Sequence, residues 1–167
     1  MKKKYIFPII IISITVFINA FIIMHSCFNA SLSSSSSGRL VNILKTIINV
    51  FIKDGINDNN IGTFTHVIRK LIGHFSLFVI SGFFTSLSFY FIKNIKHVYY
   101  YLSTLTFGFL LATMTEFIQR YVPGRSGEFI DSMIDFGGYI TGFLLLVIIL
   151  LIISSPRGRK NKKRIQG

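Results

Sequence analysis

Four long apolar stretches limit what this chain can fold into. They lie at about residues 5–24, 71–92, 98–117 and 133–153, and each contains few charged side chains. A run of roughly 18 to 20 apolar residues is long enough to cross a bilayer as an α-helix. Of the 167 residues, 51% are hydrophobic, which is a high share for a soluble domain of this size. The sequence therefore predicts an all-α integral membrane protein with four transmembrane helices.

The basic residues predict how these helices are oriented. The net charge is +12, but residues 1–4, 93–97 and 155–167 together hold eleven of the 18 basic residues and none of the six acidic ones. Because cytoplasmic segments of membrane proteins are enriched in Lys and Arg, we expect both termini to be cytoplasmic. Residues 1–154 then form one membrane domain, and residues 155–167 form a basic cytoplasmic tail.

The partner expected for this basic tail is the bilayer. Each basic residue near an anionic membrane surface contributes about 1 kcal/mol of attraction. We therefore expect no nucleic-acid partner, although the net charge alone would be compatible with one.

The segment between the first two apolar stretches is predicted to lie outside the membrane. The serine-rich stretch at 31–38 has little apolar material to bury, and we expect it to be a flexible linker. Residues 39–53 place polar and apolar side chains on opposite faces of a helix, which predicts an amphipathic helix on the outer membrane face. Residues 54–62 form a turn-rich break.

Ionisable residues from three predicted helices are expected at one depth. His74 lies near the start of the second helix, Glu116 near the end of the third and Asp135 near the start of the fourth. With the second and fourth helices running inward and the third outward, all three side chains lie near the outer headgroups. Polar residues at such positions are costly and often functional.

The spacing within the helices adds further residues to this group. Glu116 and Gln119 are three residues apart and share a helix face, and Asp131 and Asp135 are four apart and share another. We call the predicted ligand-binding residues the outer polar cluster, and they are Lys70, His74, Glu116, Gln119, Arg125, Asp131 and Asp135.

The connection between the third and fourth helices lies over the same end of the bundle. Pro123 and Gly124 predict a turn, and Arg125 follows it, where its guanidinium could bind a carboxylate or a phosphate with two hydrogen bonds. A structural interpretation stays open, in which Arg125 only fastens this connection to Glu116 and Asp131. Arg120 and Glu128 are expected to be solvated.

Two chemical alternatives also stay open. A metal site could use His74, Glu116, Asp131 and Asp135, but no compact ligand motif is present and nearby arginines would compete, so neither a metal nor a cofactor is expected. An enzyme could use Glu116 or an aspartate such as Asp131 as general base and His74 as general acid. Because no familiar nucleophile or phosphate-loop motif is present, we leave the catalytic residues unassigned and enzymatic activity undecided.

Several short motifs occur in a fixed order along the chain. They are Lys70-x-x-x-His74-Phe75, Glu116-x-x-Gln119, Pro123-Gly124-Arg125, Asp131, and the pair Gly138 and Gly142. With the serine-rich stretch, this order resembles the VanZ-like family of small bacterial membrane proteins, named for teicoplanin resistance, over residues 31–142. One position departs from the family pattern, because Asp135 stands where Asn is typical. A carboxylate has no donor, so the ligand preference of relatives transfers less directly.

The resemblance implies a multi-pass protein of the bacterial cytoplasmic membrane, linked in some members to reduced teicoplanin susceptibility. We expect the outer polar cluster to bind an amphiphilic ligand of the cell envelope, either a lipid-linked wall intermediate or the lipoglycopeptide itself. The alternative is a membrane-embedded acid/base hydrolase or transferase that acts on a lipid or wall precursor.

The Gly138 and Gly142 pair forms a small-residue face, which we interpret as helix packing. A third possibility for the function is a structural subunit that binds a partner through this face. The oligomeric state is left open.

Overall fold

The computed structural model describes residues 5–28, 30–52, 55–68, 73–91, 97–125 and 127–154. These residues form helices without any strand among them. The helices are α1 (Ile6–Ser26), α2 (Ala30–Phe51), α3 (Ile61–Ile68), α4 (Ser76–Tyr90), α5 (His97–Gln119) and α6 (Phe129–Ser154).

Three of these helices are long and apolar enough to cross a membrane, namely Ile6–Ser26, Val98–Gln119 and Phe129–Ser154. They match the first, third and fourth predicted spans, although α6 begins at Phe129 rather than near residue 133. The chain is thus a multi-pass, all-helical membrane protein.

The second predicted span, 71–92, corresponds to the shorter helix α4. This helix has 15 residues, or about 22 Å of helix, which is less than the roughly 30 Å of a bilayer core. A π-helical turn at 73–75 precedes it, while 69–72 and 92–96 lie outside the described residues. A fourth span and the orientation of the termini therefore stay predictions, as does the tail, since 155–167 is also outside the described part.

Helix α4 lies at the centre of the bundle, where it packs most extensively against α6 and also contacts α1 and α5. The buried core combines Ile22, Phe78, Leu111, Ala112 and Tyr139, which come from α1, α4, α5 and α6. Helix α4 is therefore enclosed by the three long helices.

Glycines let α4 and α6 approach closely. A Cβ atom built on Gly138 would overlap the carbonyl oxygen of Phe75, and one built on Gly142 would overlap that of Val79. The packing interpretation of the Gly138 and Gly142 pair is thus confirmed. Gly138 meets Phe75, and four residues further along each helix Gly142 meets Val79. Helices α4 and α6 therefore run in the same direction, which is expected when one antiparallel helix connects them.

Hydrogen bonds between side chains join α1 to α4. Asn19 donates from Nδ2 to Oγ1 of Thr85 at 3.3 Å and accepts from Oγ of Ser81 at 2.6 Å. One turn away, Oγ1 of Thr15 lies 2.8 Å from Oγ of Ser88. In an apolar environment these pairs satisfy polar atoms that would otherwise lack a partner, so they help to fix the register of the two helices.

The prediction of a flexible linker at 31–38 is wrong, because helix α2 begins at Ala30 and continues to Phe51. The stretch contains no proline, and serine is only modestly worse than alanine inside a helix, so the amphipathic helix predicted at 39–53 can extend through it. The placement of α2 on the outer membrane face stays a prediction.

The turn-rich break after α2 is confirmed, but a helix follows it that the sequence did not predict. Asn49 fixes this turn: its Nδ2 donates to the carbonyl oxygen of Ile56 at 3.0 Å, and its Oδ1 accepts from the Ile56 backbone N–H at 2.8 Å. Helix α3 begins at Ile61, inside the predicted break, and packs against α2.

Candidate functional site

Glu116 lies in the last turn of α5 with only 4% of its surface exposed. Its Oε1 accepts a hydrogen bond from Nε2 of Gln119 at 2.9 Å, and its Oε2 accepts one from the backbone N–H of Glu128 at 3.3 Å. The first bond confirms that Glu116 and Gln119 share a helix face. Both carboxylate oxygens are thus held in a defined orientation, and each keeps a second lone pair for another partner.

The connection between α5 and α6 folds back onto this carboxylate. The backbone N–H of Arg125 donates to the carbonyl oxygen of Val122 at 3.2 Å, and Gly124 has a φ of 76°. This is the predicted turn, with proline at its second position and glycine at the third, where a positive φ is required. A Cβ on Gly127 would overlap the carbonyl oxygen of Glu116, so this glycine is what brings the Glu128 N–H within reach.

His74 and Asp135 form the second part of the site. His74 lies in the π-helical turn before α4, and its Nδ1 is 3.5 Å from Oδ2 of Asp135, with the histidine side chain 19% exposed and the aspartate side chain 1% exposed. Asp135 lies in the second turn of α6. The pair therefore joins the start of α4 to the start of α6, and only its histidine side is open to solvent.

One potential ligand atom from each of His74, Glu116 and Asp135 lies within 4.8 Å of the other two. We call these three residues the triad. They come from the turn before α4, from α5 and from α6, so the expectation that three elements bring ionisable groups to one place is met by the geometry. Such a group can accept and donate protons, bind donor groups of a ligand, or hold a metal ion.

The other members of the outer polar cluster lie around the triad or outside the described residues. Asp131 is half-buried in the first turn of α6, and its charge acts on Glu116 together with that of Asp135. Arg125 is half-buried, and its guanidinium nitrogens are shielded from solvent. Lys70 lies outside the described residues.

The two residues expected to be solvated have exposed side chains. Arg120 donates from Nε to the carbonyl oxygen of Gly127 at 3.2 Å in an exposed position, and the Glu128 side chain is exposed. The backbone N–H of Glu128 nevertheless binds Glu116, which side-chain reasoning could not predict.

His25 is a neighbour that the sequence reasoning missed. Its ring lies edge-on to the ring of His74 with centroids 5.9 Å apart, at the end of α1. The topology contained the necessary signal, because the end of the first span lies at the same level as the start of the second.

Comparisons with known proteins identify a family match along most of the chain. The model of the family described as VanZ/LLP1 matches residues 6–151, which include every residue of the outer polar cluster. Neither a curated protein nor a solved structure was found to match the chain.

Proposed function

Because the chain belongs to the VanZ-like family VanZ/LLP1, we propose that it binds an amphiphilic ligand of the cell envelope at the outer polar cluster. The ligand is either a lipid-linked wall intermediate or a lipoglycopeptide of the teicoplanin kind, and its capture lowers susceptibility to teicoplanin. In this proposal the protein lies in the bacterial cytoplasmic membrane with both termini inside and the outer polar cluster facing outward.

The observation that supports this proposal is the convergence of the triad at one end of a membrane bundle. Glu116 and Asp135 are buried carboxylates, and His74 beside them is partly open to solvent. Ionisable groups at membrane depth are often functional, so three of them gathered from three elements favour a task beyond anchoring. The triad lies at helix ends, where a headgroup can reach it.

Apolar side chains beside the triad suit the acyl chain of such a ligand. Phe117 and Tyr121, at the end of α5, are exposed by 58% and 75%, and Phe129 and Ile130, at the start of α6, by 64% and 66%. Exposed aromatic residues at a helix end are typical of the level where lipid headgroups meet acyl chains. A ligand with a lipid tail and a polar head would place the tail along these residues and the head over the triad.

The charged residues of the outer polar cluster then interact with different groups of the ligand's polar head. Arg125, together with Lys70, attracts a phosphate or carboxylate of the ligand through its positive charge. Glu116, Asp131 and Asp135 accept hydrogen bonds from amine, amide and hydroxyl groups of the ligand.

The test compares the wild type with Arg125→Ala and Arg120→Ala in a drug-sensitive Gram-positive host, matched for membrane abundance. Teicoplanin and vancomycin susceptibility are measured side by side. We expect a protective shift for teicoplanin that is lost in Arg125→Ala and kept in Arg120→Ala, because the Arg120 side chain is exposed. The proposal is wrong if the wild type gives no shift, and loss of membrane abundance in Arg125→Ala alone would favour the structural role of this arginine.

The contact between His74 and Asp135 favours one second candidate, an acid/base hydrolase or transferase. A carboxylate next to an imidazole can orient it for proton transfer, and Glu116 could serve as the base. Glu116→Gln keeps the size and most hydrogen bonds of the side chain but removes its basicity. Full protection by this variant would exclude catalysis through Glu116, whereas complete loss with unchanged ligand binding would favour it.

A further inference from the structure

The triad has the composition of a three-ligand metal site. It offers one imidazole and two carboxylates, with ligand atoms that all lie within 4.8 Å of one another. Three protein ligands of this kind and one open position for water or substrate are typical of accessible zinc sites in proteins. No compact motif in the sequence pointed to such a site, because the ligands come from three separate elements.

The distances fit a first-row ion. Bonds of about 2.0 to 2.2 Å from a tetrahedral Zn²⁺ to nitrogen and oxygen ligands imply separations of about 3.3 to 3.6 Å between those ligands. Nδ1 of His74 is 3.5 Å from Oδ2 of Asp135, which lies in this range and is longer than an ordinary hydrogen bond. One oxygen of Glu116 lies within 4.8 Å of both atoms, and movements of the three side chains that add up to about 1 Å would bring it into the same range.

Charge favours a cation at this place. Glu116 and Asp135 are 4% and 1% exposed, and both act on each other electrostatically, with Asp131 adding a third negative charge. Two buried like charges at short range repel each other strongly. A divalent ion between them removes this repulsion.

The surroundings of Glu116 resemble those of metal ligands. Nε2 of Gln119 and the N–H of Glu128 hold its two oxygens, and hydrogen bonds of this type orient carboxylate ligands and raise metal affinity. The partly exposed side of His74 leaves room for a fourth ligand.

We propose that His74, Glu116 and Asp135 bind one Zn²⁺ ion with an open coordination position at the outer end of the bundle. An imidazole ligand favours zinc over Mg²⁺ and Ca²⁺, which prefer oxygen ligands alone. The open position would accept water or a phosphate or carboxylate oxygen. This goes beyond the ligand binding proposed above and does not depend on it, because metal binding can be measured on the purified protein.

The test uses the full chain, purified in detergent with a tag that lacks histidine and stripped of metal by a chelator. Zinc binding is measured by competition with a chromophoric indicator, and Mg²⁺ and Ca²⁺ serve as comparison ions. We expect one Zn²⁺ per chain, a higher thermal midpoint with Zn²⁺, and no such effect of Mg²⁺ or Ca²⁺. Asp135→Asn and His74→Gln should weaken zinc binding by about 100-fold or more, and Gln119→Ala by about 10-fold.

Two control variants separate this site from adventitious binding. Asp58→Asn removes an exposed carboxylate in the turn before α3, and Cys27→Ser removes the exposed thiol; both should bind zinc like the wild type. If the ligand variants fail to fold, the absorption spectrum of the wild type with Co²⁺ in place of zinc still distinguishes the triad from the Cys27 thiol. Nitrogen and oxygen ligands give a spectrum without the strong thiolate charge-transfer band. The proposal is overturned if the wild type binds no zinc, if Cys27→Ser abolishes binding, or if Mg²⁺ or Ca²⁺ binds as well as Zn²⁺.

Discussion

The Nδ1 atom of His74 lies 3.5 Å from the Oδ2 atom of Asp135, and this contact ties the turn before α4 to the second turn of α6. Its geometry depends on how closely α4 and α6 approach one another. The distance between the two helices is set by Gly138 and Gly142, further along the same interface. These glycines therefore influence where the triad atoms lie, although they take no part in the triad.

Gly138→Ala should therefore destabilise the bundle and displace the triad. A Cβ at this position overlaps the carbonyl oxygen of Phe75, which is backbone and cannot rotate away, and such overpacking costs about 1 to 3 kcal/mol. The measurement is the thermal midpoint of the purified protein in detergent, followed by circular dichroism.

Gly137→Ala is the matched control, since a Cβ there meets no atom within 4 Å. Alanine also favours a helix over glycine, so we expect this variant to be as stable as the wild type or slightly more so. Equal loss of stability in both variants would contradict the close α4 to α6 interface.

Asn19→Leu should loosen α1 from α4. The change removes the hydrogen bonds of Asn19 with Thr85 and Ser81 and leaves both hydroxyls to find new partners. Hydrogen bonds between membrane helices contribute on average about 0.6 kcal/mol each, so a loss of about 1 kcal/mol is expected. Ser13→Ala, on an exposed part of the same helix, should have no measurable effect; if the two variants unfold at the same temperature, the α1 to α4 hydrogen bonds contribute nothing.

The long apolar stretches were sufficient to predict α1, α5 and α6, because few soluble structures bury so many apolar residues in a row. Helix α4 is described from Ser76 to Tyr90, within the predicted stretch 71–92. The prediction of a flexible linker at 31–38 was wrong because a serine-rich composition is compatible both with a solvated linker and with the continuation of a neighbouring helix.

In the candidate site, spacing predicted which side chains share a helix face, and topology predicted which lie at the same level. Neither predicted the hydrogen bond that a backbone N–H makes to the site. The bond between Gln119 and Glu116 follows from a three-residue separation on one helix, and topology placed His74 and Asp135 at the same level. The Glu128 N–H reaches Glu116 only because Gly127 packs against the end of α5. Such a contact depends on the path of a whole connection, which no local pattern encodes.

Gln119 should prove to be a positioning residue for Glu116. It is 6% exposed and donates to Oε1 of Glu116; Gln119→Leu removes this donor and leaves a buried carboxylate oxygen with one partner fewer, at a cost of about 1 to 3 kcal/mol. Gln119→Glu should be worse in neutral buffer, because two adjacent carboxylates repel each other and neither donates. In acidic buffer one of them takes up a proton and can donate again, so the deficit of Gln119→Glu should shrink as the pH falls, and by more than that of Gln119→Leu, in which no donor returns to position 119. Thermal midpoints of both variants and the wild type across this pH range test the argument, and a pH-independent deficit in Gln119→Glu would show that position 119 does not act through the Glu116 carboxylate.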